Sequence, residues 1–138
     1  MSLTPRQARN NEVLYSDFRK DLATLPGRND LGRLVNENAV REAIKNLLLT
    51  DRGERLFQPY LGSDIRKSLF DNLMMPGTLI ILETRVTDCL NNFEPRCDLI
   101  AVDVTASIEG NSVEITVVFS VLNIEEPQSV TIGIDRVR

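Results

Sequence analysis

The period of the apolar residues changes once along this chain, and that change limits what it can fold into. Between Val40 and Phe93 the apolar side chains recur at three- and four-residue spacing, whereas from Ile100 they recur at every second residue. A helix buries one stripe with the first pattern and a strand buries one face with the second. The switch falls at Glu94-Pro95-Arg96, where the proline turns the residue before it away from helical backbone.

In NAVREAIKNLLLT, Val40, Ala43, Ile44, Leu47 and Leu48 mark the buried stripe of a helix over 38–51. Asn36 or Asn38 is placed to cap its start, and Gly53 breaks the chain after it. Pro76 suits the first turn of a second helix over 77–93, because its missing N–H costs nothing there. Its stripe is Leu79, Leu82, Val86, Cys89, Leu90 and Phe93. Residues 63–73 fit a short helix capped by Ser63 or Asp64, with Ile65, Leu69 and Phe70 inward. In the C-terminal third, Ile100, Val102, Val104, Ala106 and Ile108 share one face. A Gly110-Asn111 turn follows, and Val113, Ile115, Val117, Phe119 and Val121 repeat the alternation. After NIEEPQ, a third strand carries Val130, Ile132 and Ile134. The expected class is α+β: two main helices plus a short one packed on a three-stranded antiparallel meander. Upstream, residues 1–12 read as a flexible lead-in, 13–22 as a short strand and 25–34 as a loop. At 138 residues the chain suits one domain, 1–138.

Composition narrows the function. The formal charge is −4 and no polybasic run appears, which argues against nucleic acid or an anionic membrane as the ligand. Nothing approaches the length of a membrane span, and the start resembles no signal peptide. With no histidine, Ser-His-Asp and Cys-His catalysis and His-ligated metals are excluded. Gly-rich phosphate loops are absent, so no cofactor, metal or small-molecule substrate is expected. Cys89 and Cys97 read as reduced thiols of a chain that folds in a cytoplasm. Only carboxylate-based chemistry survives among the familiar enzyme constellations.

Three places carry more signal than their surroundings. At Glu94, Pro95 and Arg96 a stiff corner displays two opposite charges, against the plainer reading of a helix stop with an incidental ion pair. The segment Gly53, Glu54, Arg55, Phe57, Pro59, Gly62 is denser in signals than an ordinary connection. It is expected to be packed and irregular, with Phe57 anchored in the core and Glu54 and Arg55 pairing locally. A catalytic reading would make Glu54 a general acid beside a second carboxylate. Finally, Val130, Thr131, Ile132, Gly133 and Ile134 lie on a candidate edge strand, and an unpaired edge recruits other strands unless something blunts it.

Taken together, LYSDF (14–18), NAVREAIKNLLLTDRGERLFQPYLGS (38–63), LF (69–70) and NNFEPRCDLIAVDV (91–104) resemble the lysozyme-like baseplate wedge family of contractile-tailed phages. Relatives of that family occur in type VI secretion baseplates. The resemblance is collinear over about residues 14–125. It implies a structural, non-catalytic virion protein of the tail baseplate, assembled in the host cytoplasm. Its implied partners are other baseplate wedge proteins, bound through Glu94, Pro95 and Arg96, and the tail sheath protein, whose first ring would be templated by the strand at 128–136. Where the family often continues Leu-Phe with Glu-Pro, this chain has Asp71-Asn72, so no role is carried over there. The rival expectations are a peptidoglycan hydrolase using Glu54 or Glu94, a type VI secretion or contractile bacteriocin component, and an adaptor for a cellular regulator.

Overall fold

The structure is a computed structural model and describes residues 13–69, 75–107 and 111–135. The expectations for residues 1–12, Phe70, residues 71–73, Ile108 and Gly110 fall outside these. A small antiparallel pair opens the described chain, β1 (Ser16–Phe18) with β2 (Arg33–Val35). Three helices follow: α1 (Glu37–Leu49), α2 (Ile65–Ser68) and α3 (Pro76–Phe93). The chain then runs through β3 (Cys97–Ser107), β4 (Ser112–Val121) and β5 (Ile124–Asp135), an antiparallel sheet in the order β3-β4-β5. The α+β class is the one expected.

The core follows the two periods. Val40, Ile44 and Leu48 of α1 and Leu82, Val86 and Leu90 of α3 are almost fully buried. They pack against Val113, Ile115, Val117, Phe119 and Val121, every second residue of the central strand β4. Burying each such side chain contributes about 1.5–3 kcal/mol, so one continuous cluster is enough to hold the helices on one face of the sheet.

Three local readings change. Ile100 is 57% exposed, because the β3–β4 register shifts between Leu99 and Ala101 and moves Ile100 to the outer face. Leu99 turns inward in its place. β5 begins at Ile124, well before Val130, and Leu122-Asn123 is its tight turn, with Asn123 at φ 69°. Pro127 is tolerated within this strand because β5 is an edge and needs fewer ladder donors. Arg33 and Leu34, expected in a loop, join Val35 in β2; three residues are too few for alternation to be visible.

Candidate functional site

Pro95 stops α3 as expected, but the two charges beside it are treated unequally. The Glu94 side chain is only 6% exposed, while that of Arg96 keeps 31%. Arg96 Nε donates to Glu94 Oε1 at 2.7 Å and Nη2 donates to Oε2 at 2.8 Å, a two-point fork. Glu94 is therefore not displayed; it is a buried carboxylate that fixes the plane of one guanidinium. These hydrogen bonds hold the Arg96 pKa above its ordinary value. Backbone bonds fasten the corner too, since Glu94 N–H donates to Leu90 O and Leu122 N–H donates to Arg96 O.

Two residues that no local pattern points to complete the corner. The Arg96 guanidinium carbon lies 5.8 Å from the centre of the Tyr15 ring, within cation–π range. Tyr15 is held there by Asn36, whose Oδ1 accepts the Leu14 N–H at 2.9 Å and the Tyr15 N–H at 3.4 Å. Asn36 occupies the cap position of α1 but makes no capping bond with its side chain, which reaches the two residues just before β1 instead. Its φ of 51° belongs to the small set of residues that tolerate left-handed backbone. The signal was an Asn before a helix, which reads as an ordinary cap.

The segment 51–62 divides into a fixed backbone and projecting side chains. Gly53 N–H donates to Pro59 O at 2.7 Å, Ser63 N–H to Thr50 O at 3.0 Å, and Cys89 Sγ–H to Gly62 O at 3.4 Å. Gly62 is buried at φ 141°, and a Cβ there would meet Thr50 O at 2.7 Å and Arg52 N at 2.8 Å. Phe57, expected in the core, is 97% exposed; Leu56 is 91% and Tyr60 63% exposed. The inner contacts are made by backbone and by Leu61, which packs on the core, so the larger side chains are left outside. The Tyr60 and Phe93 ring centres are 6.2 Å apart, joining this loop to the end of α3 beside the corner.

Neither acid of the hydrolase reading is arranged for catalysis. Glu54 is exposed on the loop and accepts the Asp51 N–H at 2.9 Å, while Glu94 is tied up by Arg96. Burial pushes Cys89 and Cys97 up to about 11, with the Glu94 and Asp98 carboxylates adding to the rise at Cys97. Both are free thiols and stay protonated at neutral pH, which does not suit a nucleophile. Among the described residues no group of His, Cys, Asp and Glu is placed to hold a metal ion.

The strand edge is also split. Val130, Ile132 and Ile134 point into the core, whereas Thr131 and Gly133 face outward. β5 pairs with β4 on one side, and among the described residues no strand lies on the other.

A family model described as baseplate wedge protein gp25 matches residues 35–125. The baseplate wedge protein gp25 of Enterobacteria phage T4 is 28% identical over 114 residues, which is 83% of this chain and 85% of that one. Among solved structures, a Geobacter sulfurreducens protein described as a tail lysozyme superposes with a TM-score of 0.64 at 26% identity, covering 72% of this chain and 89% of that one. A chain of the anti-feeding prophage baseplate shares the fold at 14% identity, with a TM-score of 0.62 and 90% and 87% coverage.

Proposed function

The chain belongs to the baseplate wedge protein gp25 family and is a baseplate component of a contractile tail system; from that premise we propose that it clamps the wedge core through Arg96 and seeds the sheath through β5. It does so without catalysis. The observation that carries the proposal is the fork from buried Glu94 to Arg96. Glu94 occupies Nε and Nη2, and Tyr15 lies against the guanidinium, so an acceptor on another subunit meets a cation whose orientation is already set. Pre-set geometry reduces the ordering cost of binding, and the charge supplies register while apolar contact supplies most of the affinity. The outward edge of β5, with Thr131 and Gly133, suits addition of a strand from the sheath protein.

Co-expression with candidate wedge proteins of the same tail, followed by pull-down, tests this. The wild-type chain retains the wedge complex. Arg96→Lys keeps the charge but loses the fork, and is expected to lose the complex while circular dichroism still reports a folded chain. A folded Arg96→Lys chain that copurifies as well as wild type contradicts the proposal.

The similarity to a protein described as a tail lysozyme favours one second reading, a cell-wall hydrolase. Sustained clearing of purified cell walls that disappears in Glu54→Gln would establish it. We expect no clearing, given the exposed, backbone-bonded position of Glu54.

A further inference from the structure

A cavity of about 400 Å3 is bounded by Arg52, Ser63, Asp64, Lys67, Ser68 and Arg85. Its charge is unlike that of the chain as a whole. Three cations line it against one carboxylate, in a protein of net charge −4. Asp64 is already engaged, by Lys67 Nζ at 2.9 Å and by Arg52 Nε at 3.7 Å. Arg85 donates to the Ser68 hydroxyl, a neutral group, and among the described residues no carboxylate lies within ion-pair distance of it. The cavity thus holds more positive charge than it compensates.

Arg52 belongs equally to the loop that holds Leu56 and Phe57 out in water. Because Gly53 and Pro59 close that loop through the backbone, exposing these side chains is a fixed feature of it. Large apolar side chains on an ordered loop that also carries one of the cavity's cations fit one chemistry, a carboxylate with aliphatic neighbours.

We propose that this end of the molecule receives an acidic, leucine-rich segment of a neighbouring polypeptide, with a carboxylate seated against Arg85 and Arg52 and aliphatic side chains covering Leu56 and Phe57. A nucleic acid is the weaker fit. Residues 97–135 contain no Lys or Arg, so the sheet repels a long polyanion, whereas a short segment senses mainly the local cations. The inference rests on the premise that the chain works packed among other subunits, but it uses none of the corner or edge residues.

The test is an NMR titration of the full chain with the blocked peptide Leu-Glu-Glu-Leu-Leu. The Leu-Gln-Gln-Leu-Leu peptide, inorganic phosphate and a short DNA duplex serve as the other arms. The glutamate peptide should shift the Arg52 and Arg85 Nε–H signals and the Phe57 amide saturably. Arg85→Gln, Phe57→Ser or the glutamine peptide should each weaken binding by about tenfold, the scale of one charge-assisted hydrogen bond or one anchor lost. Absence of saturation, or binding unchanged by Arg85→Gln, overturns the proposal. Equal response to phosphate reduces the cavity to a general anion site, and tighter binding of the duplex assigns it to nucleic acid; either result overturns the peptide assignment. Since Arg96-dependent copurification is measured separately, failure here leaves the wedge clamp standing.

Discussion

The corner at 94–96 and the loop at 51–62 each combine charged residues with a proline, and they use their side chains in opposite ways. At the corner, side chains do the fastening: Glu94 is buried and forked by Arg96, whose guanidinium lies over the Tyr15 ring. In the loop the backbone does the fastening, through Gly53, Pro59, Gly62 and Ser63, and Leu56, Phe57 and Tyr60 are left in water. A thiol backs each region, half-buried Cys97 against Glu94 O and buried Cys89 against Gly62 O. The contrast teaches that deleting a corner side chain costs stability, whereas deleting an exposed loop side chain need not. Tests of the partner contacts proposed for the two regions therefore need different controls.

Substitutions can break this contrast, and Gly62→Ala should be the most damaging. It forces a Cβ against Thr50 O and Arg52 N at φ 141° and should cost about 3 kcal/mol in chemical denaturation. An unchanged midpoint would mean that the loop backbone is not what fixes it. Arg96→Ala comes next, at about 2 kcal/mol, because it leaves the Glu94 carboxylate buried and unpaired. Tyr15→Ala removes the face beneath Arg96 and should cost about 1 kcal/mol, while loosening the guanidinium enough to be seen in its NMR line shape.

That ordering shows what the sequence made visible. Both long helices, the stop at Pro95 and the inward set on β4 were legible, because each rests on periodicity or on proline sterics over many residues. Ile100 was misplaced because a one-residue register shift leaves no trace in alternation. The start of β5 was hidden by Pro127, which reads as a break unless the strand is known to be an edge. Tyr15 and Asn36 were missed as site residues because their roles depend on a contact between the start of the chain and a corner some eighty residues later. Phe57 was placed inward on the ordinary expectation for an aromatic, and only the backbone closure of the loop explains why it is not.

Smaller effects sharpen the contrast. Burial raises both thiols to about 11 from an ordinary 9.0. The folded state therefore holds protons that the unfolded state releases, so stability should be full below pH 9 and decline as pH rises toward 11. Cys89→Ser and Cys97→Ser should each reduce that alkaline slope, and a slope unchanged in both variants would mean that the thiols do not set it. The smallest expected effect is that of Phe57→Ser, a change in stability within about 0.5 kcal/mol, because the ring touches mostly water. A large loss there would erase the distinction between the two regions.

The decisive measurement is a cryo-EM map of the assembled baseplate containing this chain. In that map Arg96 should still be forked to Glu94 while a neighbouring subunit supplies an acceptor within hydrogen-bonding distance, with a foreign strand laid along β5. A map in which the corner faces only solvent and β5 keeps an open edge would contradict it.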